Sequence, residues 1–123
     1  MRPKPHTMVA IVDDDHFLLE SLHDFFDAIG IDSKTYCSAD EFLASGDVSK
    51  VHCVLADFKM PGTNGLQLLE SMVRQGGPPV CIMTSFADTR TKAAAMNGGA
   101  AGFLEKPINS TDLLAFISTK SRH

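Results

Sequence analysis

The sequence has no apolar stretch near the roughly 20 residues needed to cross a bilayer. It also has no lysine- or arginine-rich run, no internal repeat and no low-complexity segment. The formal net charge is −4, so nothing favours an anionic membrane or direct nucleic-acid binding by this domain. Cysteines number three, Cys37, Cys53 and Cys81, an odd set with neither metal nor redox spacing. Cys53 and Cys81 lie inside apolar runs, where a free thiol acts as a small buried hydrophobe; this fits a reducing cytoplasm. The opening MRPKPHTMVAIV runs from two positive residues straight into acids and reads as a tail entering a strand, not as a secretion signal.

What is present suits one compact soluble domain. The chain has 123 residues, 44% hydrophobic and 21% charged, an ordinary globular balance with no room for a second core. The expected organisation is a short tail over residues 1–6, a domain over 7–120 and a short tail over 121–123.

Period and punctuation organise the domain. Residues 8–12 (MVAIV) form a continuous apolar run, as a strand covered on both faces requires. Leu18, Leu22, Phe25, Phe26 and Ile29 then recur at helical spacing until Gly30, a C-terminal stop. Residues 31–36 make a more polar strand, and Ser38-Ala39-Asp40-Glu41 is a capping-box pattern opening a short helix through Phe42 and Leu43. Residues 51–56 read as a buried strand, followed by the turn-forming Met60-Pro61-Gly62-Thr63-Asn64-Gly65. Leu66, Leu69 and Val73 mark one face of a helix that stops at Gly76-Gly77. A strand over 80–83, an alanine-rich helix over 89–96, a strand over 101–104 and a helix carrying Leu113, Leu114, Phe116 and Ile117 complete the chain. Five strands alternating with five helices imply a doubly wound α/β domain, a parallel sheet with right-handed crossovers and helices on both faces.

In this class the functional edge lies at the strands' C-terminal ends. The first strand ends in Asp13-Asp14-Asp15, the third in Asp57, the fourth in Thr84-Ser85 and the fifth in Glu105-Lys106. Converging carboxylates repel one another and raise one another's pKa values. A divalent cation relieves this, and hard oxygen donors suit Mg²⁺. Carboxylates, Mg²⁺, a lysine and a hydroxyl together suit a phosphoryl group, whose transfer relies on positioning and charge neutralisation. A carboxylate can itself be the nucleophile, giving an aspartyl phosphate. Asp57 stands alone between its strand and a loop and is the better acceptor; Asp13 and Asp14 are better placed to hold metal. The simpler reading of Asp13 to Asp15 is an acidic turn capping the first helix. His16, His23 and His52 share no metal-ligand spacing and read as surface or packing residues, and the scattered methionines read as core filler.

The segments VAIVDDDHFLLESL, CVLADFKMPGTNGLQLLE, VCIMTSFAD and GAAGFLEKPI, in that order and spacing, resemble the receiver domains of two-component response regulators, a chemotaxis-regulator-like superfamily. The resemblance organises the chain from about Val9 to the last helix. It implies a flavodoxin-like sheet of strand order 2-1-3-4-5. It implies Asp57 as phosphoacceptor from a sensor histidine kinase or phosphotransfer protein, Asp14 as direct Mg²⁺ ligand, Asp13 holding metal-bound water and the Lys59 backbone carbonyl as a further ligand. Thr84 would bind a phosphoryl oxygen, Lys106 would pair with the acceptor carboxylate or phosphate, and Phe103 occupies the switch-aromatic position. Lys59 and Phe86, two residues after the acceptor and after Thr84, occupy positions that modulate phosphate lifetime. The Lys106-Pro107 bond is expected cis. The implied output is the face of helix four, strand five and helix five, which would dock an output domain, a partner protein or a second copy in a phosphorylation-dependent dimer.

Such a domain promotes its own phosphorylation and dephosphorylation and turns over no metabolite. Two other classes compete. A haloacid-dehalogenase-type phosphatase would use Asp13-x-Asp15, but Phe17 stands where its usual threonine or valine would be, and no cap domain fits. A phosphorylation-independent pseudo-receiver has no need of Asp14, Asp57, Thr84 and Lys106 together. GFLEKPI resembles receivers attached to helix-turn-helix output domains, and the sequence is compatible with either a free-standing receiver or a part of a longer regulator.

Overall fold

The computed structural model describes residues 8–121, with side chains through Ser118; the expected tail over 1–6 and the end of that over 121–123 lie outside the described residues. In chain order the elements are β1 (Met8–Val12), α1 (His16–Ala28), β2 (Asp32–Tyr36), α2 (Ala39–Ala44), β3 (Cys53–Asp57), α3 (Gly65–Arg74), β4 (Val80–Thr84), α4 (Thr89–Asn97), β5 (Gly102–Glu105) and α5 (Ser110–Ser121), with one 3-10 turn at Val48–Lys50. The strands form a single parallel sheet ordered β2-β1-β3-β4-β5. The alternation of strands and helices therefore yields the doubly wound architecture expected of it. Among the described residues, no helix is long and apolar enough to cross a membrane.

Successive strand residues point to opposite faces, and this divides the core in two. Val9, Ile11, Cys53, Leu55, Cys81 and Met83 pack under α1 and α5 against Leu19, Leu22, Phe26, Leu113, Phe116 and Ile117. Ala10, Val12, Val54, Ala56 and Ile82 pack on the other face against Phe42, Leu68, Leu69, Met72 and Ala95 of α2, α3 and α4. Burial pushes the thiols of Cys53 and Cys81 up to about 12, as inert apolar filler requires.

Two helices bury a stripe that coincides only in part with the one read in the sequence: Leu22, Phe26 and Leu69 are buried as read, and the rest is shifted. In α1 the buried residues are Leu19, Leu22 and Phe26; Leu18 and Phe25 are half-buried, and Ile29 lies past the last turn, exposed. In α3 they are Leu68, Leu69 and Met72, while Val73 is 55% exposed. Both segments have adjacent apolar residues that support two stripes about 100° apart, and packing against the sheet selects one. Leu114 of α5 is likewise exposed. Strands β3 and β5 sit one or two residues later than expected, because Cys53 pairs with Val9 and Gly102 with Cys81. Met60, Met72 and Met83 are core filler as read, but Met96 is exposed. His52 has a packing role: its Nδ1 accepts the Met8 N–H at 2.9 Å.

Candidate functional site: an acidic cluster at the C-terminal edge of the sheet

Strand β1 ends at Val12, and the Asp13 N–H donates to the Tyr36 carbonyl at 3.1 Å, turning the chain across β2. The three acids that follow divide their work. Asp15 is the N-cap of α1, its Oδ1 accepting the N–H groups of Phe17 at 3.0 Å and Leu18 at 3.3 Å. Asp13 is fully buried, and its Oδ1 accepts the Asp15 N–H at 2.9 Å. Asp14 stays exposed at the mouth of the site. The capping reading of the acidic run therefore holds for Asp15 alone and leaves Asp13 and Asp14 free for the edge.

From the next strand, β3 delivers Asp57, which is 8% exposed. The Phe58 N–H donates to the Met83 carbonyl at 2.8 Å, fixing β3 against β4 beyond its last paired residue. Helix α3 begins close behind: a methyl group at Gly65 would run into the Asp57 carbonyl oxygen, so only glycine allows that approach. Strand β4 ends in Thr84, 2% exposed, whose Oγ1 accepts the Phe86 N–H at 3.0 Å. The Lys106 N–H donates to the Thr84 carbonyl at 2.8 Å, which sets the end of β5 beside it. The Lys106-Pro107 bond is cis, as expected.

The side chains meet. Carboxylate oxygens of Asp13, Asp14 and Asp57 all lie within 4.8 Å of one another. Lys106 Nζ reaches Asp13 Oδ2 at 2.8 Å and Asp57 Oδ1 at 3.0 Å. The pairing with Asp57 was expected; the shorter one with Asp13 was not. Burial holds the carboxyls of Asp13 and Asp57 above their ordinary range, the pull of Lys106 offsetting this only in part, while neighbouring acids push Asp57 further up. The two carboxylates in turn hold Lys106 above its usual value against its own desolvation. One fixed cation thus faces three carboxylates. The arrangement has an excess of hard, negatively charged oxygen donors, and a small divalent cation fits such a donor set.

Two further features escaped sequence reading. Lys59 Nζ lies over the Phe86 ring, 5.2 Å from its centroid, so the loops after β3 and β4 touch across the site. A cavity of about 510 Å³ opens beside Asp14, lined by Phe58, Lys59, Met60, Pro61 and Asn64. No signal in the sequence pairs Lys59 with Phe86, because both are exposed loop residues on separate connections.

The sequence matches the family described as response regulator receiver domain over residues 9–118. The chain belongs to this family. Among similar proteins, the transcriptional regulatory protein FixJ of Bradyrhizobium diazoefficiens is 35% identical over 99% of this chain and 59% of the relative. The C4-dicarboxylate transport transcriptional regulatory protein DctR of Rhodobacter capsulatus is 34% identical over 86% of this chain and 55% of its own length. The receiver thus spans about half the length of the curated relatives it matches. In three dimensions it superposes on the crystal structure of FixJ-N with a TM-score of 0.85 at 29% identity, covering 98% of this chain and 97% of that one. Vibrio cholerae chemotaxis protein CheY4 shares the fold at TM-score 0.85 and 22% identity, over 94% of this receiver and 99% of that chain.

Proposed function

We propose that this receiver accepts a phosphoryl group on Asp57 from the phosphohistidine of a sensor kinase or phosphotransfer protein, with Mg²⁺ bound, and uses it to change the surface it offers a partner. The observation that supports this reading is the meeting of Asp13, Asp14 and Asp57 around Lys106 at the end of three strands. Asp14 and Asp57 would hold the metal directly, with Asp13 acting through water and the Lys59 backbone carbonyl as a further ligand. Bound there, the ion would neutralise charge on the phosphoryl oxygens during transfer.

The chain's own residues divide the remaining work. Asp57 must be ionised to attack phosphorus, and Lys106 opposes the burial that would keep it protonated. As the new P–O bond forms at Asp57, the P–N bond to the donor imidazole breaks and the ring leaves with the electron pair. The phosphorylated residue carries about −1.5 to −2 charges, which draws Lys106 and the Thr84 hydroxyl. Thr84 now holds the Phe86 N–H, so its turn toward phosphate alters the start of the β4–α4 loop, and half-buried Phe103 on the neighbouring strand would follow. The readout is the α4–β5–α5 face, where a groove of about 640 Å³ is lined by Lys92, Phe103, Glu105, Asp112 and Phe116. Phosphate would bias an existing equilibrium of this face and strengthen binding of an output domain, a partner protein or a second copy. The capping role of Asp15 argues against the phosphatase alternative, which needs that carboxyl as an acid.

The test is incubation with acetyl phosphate and Mg²⁺ followed by intact-mass analysis. One phosphoryl mass is expected on the unsubstituted protein and none on Asp57→Asn. Equal labelling of both would place the acceptor elsewhere.

The Lys59–Phe86 contact bears on how long the phosphate lasts. A ring and an ammonium closed over Asp57 would limit the approach of hydrolytic water. An exposed cation–π contact is worth roughly 0.5–1 kcal/mol, a factor of about two to five in rate. Phe86→Ala and Lys59→Ala should therefore each shorten the half-life of the phosphorylated form by about that factor, followed by the decay of the phosphoryl mass. Unchanged half-lives would end the shielding idea.

A further inference from the structure

We propose that Asp40, on the first turn of α2 and outside the acceptor cluster, is a positioning residue that holds the Mg²⁺-binding loop after Asp57 in register; the proposal rests on the reading of Asp13, Asp14 and Asp57 as a metal site. The loop in question runs from Phe58 to Asn64 and forms one wall of the cavity beside Asp14. Both of its ends are fixed from within. The Phe58 carbonyl accepts the Gly65 N–H at 3.1 Å. Asn64 Oδ1 accepts the Gln67 N–H at 2.9 Å while Gln67 Oε1 accepts the Asn64 N–H at 2.8 Å, a reciprocal cap on α3.

The stretch between, Lys59 to Thr63, has no such internal support. Among the described residues, its one hydrogen-bonded tie to the rest of the protein is to Asp40, 23 positions earlier in the chain. The Thr63 hydroxyl donates to Asp40 Oδ1 at 2.6 Å, and the Thr63 N–H approaches Asp40 Oδ2 at 3.5 Å. The neighbouring Gly62 has φ +77, and a methyl group built on it would stand 2.8 Å from the same Asp40 oxygen. Glycine is needed there both for its conformation and to admit the carboxylate. Asp40 is free for this work because the start of α2 is capped by others. Ser38 Oγ accepts the Glu41 N–H at 3.0 Å, and Glu41 Oε1 accepts the Cys37 N–H at 2.7 Å, one residue outside the usual capping box.

A carbonyl ligand cannot turn toward a metal independently; it goes where its loop goes. The Lys59 carbonyl lies between the end held at Phe58 and the tie at Thr63. With the tie to Asp40 cut, the carboxylate ligands stay in place but the backbone ligand is no longer pre-set. Outer-shell partners of metal ligands typically contribute 10- to 100-fold in affinity. Because Asp40 is exposed, the expected loss is at the lower end, about tenfold.

The experiment is a Mg²⁺ titration by calorimetry on the whole chain, with unfolding in urea followed in parallel. Asp40→Ala and Thr63→Val should each weaken Mg²⁺ binding about tenfold. The double variant should bind no more weakly than either single one, since both cut the same tie. Thr63→Ser, which keeps the hydroxyl, should bind as the unsubstituted protein does. Thr63→Val keeps the test available if Asp40→Ala fails to fold. Affinities equal to the unsubstituted protein in folded Asp40→Ala and Thr63→Val, with binding abolished in Asp14→Asn, would overturn the positioning role and leave the metal site standing. Failure of the unsubstituted protein to bind Mg²⁺, or full binding by Asp14→Asn, would overturn both.

Discussion

Without divalent cations and at neutral pH, Asp57→Asn is expected to be more stable than the unsubstituted protein by about 1 kcal/mol, the usual scale of relief from a functional constraint. The sign follows from the direction of the pKa shifts. Asp13 and Asp57 are both held above their ordinary value in the folded state, chiefly by burial. The native state therefore binds their protons more tightly than the unfolded chain does. The contribution of these two groups to stability is most favourable below the unfolded carboxylate range and is lost as pH rises through the higher folded values. At neutral pH the site sits at the unfavourable end of that curve, with two buried carboxylates sharing one lysine. Asparagine removes one charge, keeps the shape and leaves Lys106 its 2.8 Å partner Asp13. Saturating Mg²⁺ should stabilise the unsubstituted protein more than the variant, because binding to the native state adds stability in proportion to occupancy. The gap in unfolding midpoint therefore narrows or reverses when Mg²⁺ replaces chelator. A variant less stable in chelator, with a deficit that ignores both pH and Mg²⁺, would show that Asp57 is not electrostatically frustrated.

How far such a site can be read from sequence depends on what places each group. Asp57, Thr84 and Lys106 were legible because strand ends in a parallel sheet must share one edge, and the strands announce themselves as short apolar runs. The sheet order came from resemblance, and the sheet bears it out. Periodicity was a poorer guide within helices. In HFLLESLHDFF the apolar residues are dense enough to support two stripes, and only the sheet beneath favours Leu19 over Leu18. Contacts between loops were not legible at all. The ring contact of Lys59 with Phe86 and the bond of Thr63 to Asp40 join residues whose separation in sequence has no period. The second partner of Lys106 lay between these cases: Asp13 was known to be at the right edge, but its complete burial, which makes the pairing obligatory, is a product of packing.

That obligation gives the larger stability effect. In chelator at neutral pH, Lys106→Met should destabilise the fold by about 3 kcal/mol, the lower end for removing one member of a buried ion pair. Small domains have roughly 5–15 kcal/mol in all, so the variant should remain folded and measurable. Methionine retains most of the apolar stem and removes the charge. Asp13 and Asp57, with side chains 1% and 11% exposed, then face each other without a cation. The lysine is the largest influence that lowers their pKa values, so in its absence both rise further. The deficit should accordingly shrink as pH falls toward the carboxylate range, where both acids take up protons, and shrink again when Mg²⁺ supplies the missing charge. Lysine's own contribution has the opposite dependence: its folded pKa is raised, so that contribution survives until pH climbs past the ordinary lysine range. Urea unfolding across pH, with and without Mg²⁺, separates the causes. A deficit that stays constant under all of these conditions would mean that the stem of Lys106 matters through packing, and that its ammonium is not what holds Asp57 and Asp13 together.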